Sequence, residues 1–325
     1  MTVPQSNVQP RSLLDHNLPL FVYSYSSRGF PDVIERMRHS FSYVPSYLIS
    51  LYDYVYVIPQ DLIKVDDERI RIWDSGGYET RQDEDYSAVY PAPSGSKTWS
   101  KADYVDSAKR IPWNGYDILA SYDSHSQGVA LHQQIKQALE LFDKVNGEYF
   151  RDLVVHLSDG SDPAPLMDTL RLYVDEFHIL GLIEKEIAPS WVHGAWFIHQ
   201  VRTALSALSP NRYIPIHIFG CFDPKTVIRF VMAGADIFDG LTWMRYLFLD
   251  RSTLYKREVE YTVGVGQLVS AGNVELSIMI HNIEEMEHLR SDIIYAISVG
   301  DMSDFELEKA DVCAALKGCP ELGGV

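Results

Sequence analysis

Short apolar runs that each stop at an acid, a serine or a glycine, and that alternate with longer helical patterns, constrain this chain more than any other feature. Arg71-Ile72-Trp73 runs into Asp74-Ser75-Gly76-Gly77, and residues 116–122 run into Asp123. Residues 153–157 are followed by Ser158-Asp159-Gly160, 177–180 by Gly181, 214–219 by Gly220, and 235–238 by Asp239-Gly240. Amphipathic spacing predicts helices between them over 129–146, 163–176, 191–209 and 224–233. Asp223-Pro224 reads as an N-cap followed by proline at the first helical position. Such alternation predicts a parallel α/β architecture whose functional residues gather beyond the C-terminal strand ends. A barrel and a doubly wound sheet both satisfy it; no Gly-x-Gly-x-x-Gly follows the first strand, which argues against dinucleotide binding.

Size and charge narrow the function. The 325 residues fit one large barrel or two smaller domains, and 46% apolar with 22% charged residues is an ordinary globular composition. With 28 Lys and Arg against 45 Asp and Glu the net charge is −17, so a basic nucleic-acid coat is excluded and any phosphate contact must come from a local patch. Cys221, Cys313 and Cys319 are too few for a disulfide framework. A polar N-terminus and the lack of any apolar run near the roughly 20 residues of a membrane span predict a soluble, cytoplasmic protein that does not engage a membrane. Residues 82–109, rich in Ser, Tyr and Pro, read as a long loop, either a lid or a tolerated surface insertion. Residues 268–305 read as a mostly helical closing segment, clearest over 283–300.

Two segments carry chemistry. Asp74-Ser75-Gly76-Gly77-Tyr78-Glu79 sets a carboxylate at a strand end, then glycines that let backbone approach a ligand, then an aromatic: a site for a planar substrate beside an acid. Gly220 to Pro224 and Gly234 to Gly240 form strand, turn, capped helix and strand, ending with Asp239; Asp236 or Asp239 could equally cap the next element.

With Ser277-Ile278-Met279-Ile280-His281-Asn282, Ala296-Ile297 and Gly300 added, these segments resemble the tRNA-guanine transglycosylase superfamily, in order from residue 74 to 305. The resemblance implies a (β/α)8 TIM barrel with insertions and a short C-terminal helical extension: an N-terminal tail (1–20), a catalytic barrel (21–265, with the 82–109 loop) and a closing helical part (266–325). It implies an enzyme in which Asp239 attacks C1′ of a guanosine and holds the sugar as an ester while Asp74 shuttles protons, as in a retaining glycosidase. Asp123 matches the acid that reads the Watson–Crick edge of the base, and Ser158, Gly181 and Leu182 fall at base-contacting positions. Tyr78 and Phe219 would flank a stacking slot, with Gly76 and Gly77 beside it. Arg245 matches the first of two substrate-gripping arginines; Phe248 stands at the second.

Departures from the family pattern shape the expected substrate. Glu79 stands where the family has glutamine, and Ser158 falls near its base-reading glutamine. The Cys-x-Cys-x-x-Cys zinc ligands that should precede His281 are absent, so no cofactor is expected and His281 reads as a relic of a zinc site, packed beside a compacted subdomain. These losses point to a divergent branch that inserts a 7-deazaguanine (preQ0-type) base into DNA, with tRNA, or a nucleoside or sugar phosphate, as other acceptors. A non-catalytic partner subunit is the reading from another class; three acids at family positions argue against it. A helper protein that opens a duplex is an expected partner, and a homodimer stays open.

Overall fold

Period-two alternation decides which side of each strand faces the barrel interior, and that alternation builds the site. The computed structural model describes residues 12–13, 16–63, 68–80, 97–122, 129–157, 160, 162–255 and 271–318. Eight strands close into one barrel: β1 (Leu20–Tyr25), β2 (Ser46–Ser50), β3 (Ile70–Asp74), β4 (Asp117–Ala120), β5 (Phe150–Val155), β6 (Ile179–Ile183), β7 (Ile216–Phe219) and β8 (Ile237–Gly240). Every neighbouring pair is parallel, and β8 returns to β1 with Asp239 opposite Val22. The helices between strands are α1 (Val33–Ser40), α2 (Leu51–Tyr56), α3 (Gly77–Thr80), α4 (Lys101–Ala108), α5 (Leu131–Phe142), α6 (Ala164–Leu170), α7 (Glu184–Ile187), α8 (Trp191–Leu208) and α9 (Pro224–Ala233). The chain is thus a (β/α)8 barrel, and the doubly wound alternative falls away.

Leu20, Val22, Leu48, Ile70, Ile72, Ile118, Ile179 and Ile237 form the inner apolar cluster. The alternate residues, among them Phe21, Tyr23, Tyr47, Trp73, Leu180 and Phe238, belong to the larger cluster between strands and helices. Leu13 and Leu18 join the inner cluster from the N-terminal side, beside a two-stranded hairpin (Ser12–Leu13 with His16–Asn17). Continuing each inward register toward the C-terminal ends gives Ser24, Ser50, Asp74, Ala120, Asp152, Gly181, His217 and Asp239. One end of the barrel is therefore filled with aliphatic side chains and the other is lined by small, acidic and imidazole groups.

After β8 come α10 (Thr242–Arg245), a hairpin of β9 (Tyr246–Leu249) and β10 (Ser252–Tyr255), then α11 (Ala271–Val299) and α12 (Glu306–Gly318). Helix α11 closes the ring beside α1 and β1: Tyr23 Oη donates to Ile283 O at 3.2 Å and Arg36 pairs with Glu275 at 2.8 Å. Asn282 ties helix to hairpin, donating to Trp243 O and Tyr246 O, both at 2.7 Å, and accepting from Phe248 N at 2.8 Å.

Two sequence expectations change. The loop expected over 82–109 is helical over Lys101–Ala108, where Ser100 and Asp103 form a reciprocal capping box that starts α4; residues 97–100 before it have no regular structure, and 82–96 lie outside the described residues. Within the mostly helical closing segment expected over 268–305, the helix clearest over 283–300 already begins at Ala271. Among the described residues no helix is long and apolar enough to cross a membrane.

Candidate active site

Asp239 is a buried acid held by donors at the polar end of the barrel. It follows the apolar pair Ile237-Phe238 on β8, so the inward register of Ile237 carries its side chain into the mouth, where it is 6% exposed. Ser24, inward on neighbouring β1, donates to Oδ2 at 2.7 Å, and the Gly220 amide beyond β7 donates to Oδ1 at 3.1 Å. His217 of β7 brings Nε2 to 3.3 Å from Oδ1, an ion-pair contact whose angle is too poor for a hydrogen bond. The same ring sets Nδ1 2.7 Å from Asp152 Oδ2 on β5. Burial drives the His217 pKa down, but Asp152 and then Asp239 outweigh it and lift it to about 9. Burial raises the carboxyl of Asp152 against the opposing pull of His217.

A second acid group surrounds the end of β3. Asp74 follows Ile72 in the inward register and accepts from the Gly76 amide at 3.3 Å. Gly76 has φ +84, and a Cβ there would lie 2.8 Å from that of Tyr52, so the turn that returns its amide to Asp74 needs glycine. Glu79 is 2% exposed; Oε1 accepts from Ser26 at 2.5 Å, and Oε2 has no partner among the described residues. Burial, then repulsion from Asp53 and Asp74, pushes its pKa up to about 8, so it carries a proton at neutral pH. Asp53, buried and accepting from Ser27 N at 2.7 Å and Ser27 Oγ at 2.5 Å, is raised by burial to about 6. Ser24 and Ser26 lie two residues apart on one register, so the end of β1 links the Asp239 group to the Glu79 group.

The other sequence-predicted residues fall as follows. Gly181 sits inward on β6 opposite His217, where a Cβ would come 2.8 Å from the Phe219 ring and 2.9 Å from Asp152 Oδ1. Leu182, one residue on, packs outward in the helix-facing core, which leaves only its backbone for the pocket. Phe219 packs on His217 with ring centroids 3.8 Å apart, so one face of the Phe219 ring is covered by imidazole. Tyr78 meets two cations: Arg28 lies 4.8 Å from its ring centroid and bonds its carbonyl, and Arg245 reaches its hydroxyl at 3.4 Å. Gly77 is buried at the start of α3. Asp123 and Ser158 lie outside the described residues.

His281 donates Nε2–H to Phe248 O at 2.9 Å, which ties helix α11 to the hairpin. Cys221 is buried against Glu184, and Cys313 lies on α12; the described residues here do not compose a zinc site. Asp236 proves structural, accepting from Ile216 N at 2.9 Å and Tyr213 Oη at 2.5 Å and pairing with Arg202.

No protein-family model and no curated protein matches the chain.

Sequence reasoning missed His217, Asp152, Glu184 and the β1 serines. Ile216 and Ile218 flank His217, and two apolar neighbours on the helix side send the residue between them into the barrel, so the signal was present. Glu184, just beyond β6, is raised to about 7 by burial, against a hydrogen bond from Cys221 and with added repulsion from Asp223 and Asp239. Its proton is therefore exchangeable near neutrality.

Proposed function

We propose that the chain is a base-exchange transglycosylase that replaces guanine with a 7-deazaguanine base through a covalent aspartyl-glycosyl intermediate. The observation that carries this reading is Asp239, a buried inward carboxylate with each oxygen fixed by a donor, on the same barrel mouth as Asp74 and its glycine turn. Asp239 Oδ2 attacks C1′ of a guanosine; the C1′–N9 bond breaks, its electron pair leaves with the base, and Asp74 supplies the proton that neutralises guanine. In the return step N9 of the incoming base attacks C1′, the C1′–Oδ2 bond breaks with its pair returning to Asp239, and Asp74 recovers the N9 proton. Two displacements retain configuration and split one hard step into two easier ones.

Asp123 is proposed to accept the N1–H and exocyclic amine of the base, a donor pair that adenine does not offer. Ser158, Gly181 and the Leu182 backbone complete the base contacts, and Tyr78 and Phe219 bound the slot. Arg245, held against Tyr78, is proposed to meet a phosphate. DNA is the proposed acceptor because the zinc module and second arginine that the tRNA enzymes carry have no counterpart in this sequence. A base in a duplex must be unstacked first, so a partner that opens DNA belongs to the proposal. The acidic surface favours one other reading, a nucleoside or sugar phosphate acceptor.

Labelled guanine and labelled 7-cyano-7-deazaguanine, incubated with the protein and DNA, tRNA or a nucleoside, test this. Incorporation into one acceptor, with an adduct stable to denaturing gels, is expected. Asp239→Asn should abolish the adduct and cut exchange by at least about 10³-fold, as loss of a covalent nucleophile does. Exchange at the normal rate in that variant would sink the assignment.

A further inference from the structure

We propose that His217 is a cationic positioning residue that bridges Asp152 and Asp239 and makes the Asp239 carboxylate a better departing group in the second displacement. The chemical half rests on the transglycosylase reading; the bridging cation does not.

Geometry carries the argument. His217 is fully buried with a carboxylate at each nitrogen, 2.7 Å at Nδ1 and 3.3 Å at Nε2. A neutral imidazole with its N–H on Asp152 would turn the Nε2 lone pair on Asp239, whereas the imidazolium sets a positive charge between the two carboxylates, hydrogen-bonded to Asp152 and in ionic contact with Asp239. The groups facing the ring are Asp152 from β5, Asp239 from β8 and, from β6, Gly181, which has no side chain; Phe219 of its own strand covers one ring face. Glu184, beyond β6, acts on Asp239. The trio therefore holds two carboxylates and one cation, and its pull on the proton agrees with an imidazolium persisting above neutrality. Asp152 Oδ1 has no partner among the described residues, so Asp152 is committed to His217 alone.

The consequence for Asp239 is asymmetric. Oδ1 faces the Gly220 amide and the imidazolium, while Oδ2 receives only the Ser24 hydroxyl. Oδ2 is thus the oxygen that bonds C1′, and Oδ1 becomes the ester carbonyl, held by the Gly220 N–H and facing the positive charge of the imidazolium. On attack the carboxylate loses its charge and its attraction to His217. On departure the charge returns and the attraction is regained, so the cation favours ester breakdown more than ester formation.

Two measurements test this. In protein with 15N-labelled histidine rings, the His217 signals, assigned by their loss in His217→Gln, are expected at imidazolium shifts through pH 8, well above the ordinary histidine range near 6.5. Asp239→Asn and Asp152→Asn should each lower its midpoint by about one unit or more. With acceptor and labelled base, His217→Gln is expected to accumulate the covalent adduct and to slow its breakdown about ten- to a hundredfold, with formation little changed. The wild-type breakdown rate should also fall as pH rises past about 9, a limb that His217→Gln lacks. An ordinary His217 midpoint, or one indifferent to Asp239→Asn, overturns the proposal whatever the protein's activity. Unchanged adduct breakdown in His217→Gln overturns its catalytic half. If wild-type protein forms no adduct on any acceptor, the base-exchange reading fails, and the NMR arm alone decides whether the cation bridges.

Discussion

Glu79 occupies a position where a neutral side chain would do better than an acid at high pH. Its folded pKa of about 8 stands above the ordinary value of 4.5, so the folded state holds the proton more tightly than the unfolded chain. Stability from that proton is complete below about pH 4.5 and is lost as pH rises through about 8. Glu79→Gln removes the penalty while keeping the shape, and its neutral amide carries no repulsion toward Asp53 and Asp74. The variant should melt on the order of a few degrees above wild type at pH 9 and level with it near pH 4.5, by thermal unfolding at both values. A constant difference across that range would rule out a proton on Glu79. Individual residues were legible where a motif and a strand end coincided, as at Asp74 and Asp239. His217 lies inside a strand and shows only in its two flanking isoleucines, and a strand read from Leu153 onward leaves Asp152 outside it, although β5 begins at Phe150.

Elements were readable where local chemistry and tertiary position agree. Helix α9 runs from Pro224 to Ala233, as the Asp-Pro start predicts, with Asp223 accepting from Thr226 N at 2.9 Å. Strands β1 and β2 were not singled out, because serines (Ser24, Ser46 and Ser50) break up or bound their apolar residues and neither runs into an acid or a glycine. Helix α4 was hidden in a polar stretch, and its capping box is the signal that a compositional reading passes over. Strands β3 and β4 show how the wall tolerates charge. Arg71 and Asp117, both fully buried, pair through two 2.7 Å contacts, and Trp73 Nε1 and the Asn114 amide also donate to Asp117, at 2.7 and 2.9 Å. Asp117→Ala would strand a buried guanidinium and is expected to cost about 3–5 kcal/mol, far more than its mirror on the surface. Urea unfolding measures it; a loss under about 1 kcal/mol would mean that water reaches the wall.

At the scale of the whole molecule, the net charge of −17 and the acid-lined mouth act together. A polyanion approaching this barrel is repelled at long range, so the proposed phosphate contact depends on local cations, among the described residues Arg245 at the Tyr78 hydroxyl and the buried Arg28 over its ring. Counterion release counts phosphates neutralised, with a slope of log K against log salt of about −0.9 for each contact on duplex DNA and about −0.7 on single strands. One or two local contacts therefore predict a shallow slope, no steeper than about −2, where a basic coat would give a far steeper one. Arg245→Ala should flatten the slope by about one contact's worth and weaken binding alike across sequences, because a phosphate contact carries no base information. Fluorescence anisotropy on labelled single-stranded DNA from 50 to about 300 mM salt reads both quantities. A steep wild-type slope would reveal a basic surface elsewhere on the chain, and a slope unaltered by Arg245→Ala would remove that residue from the acceptor site.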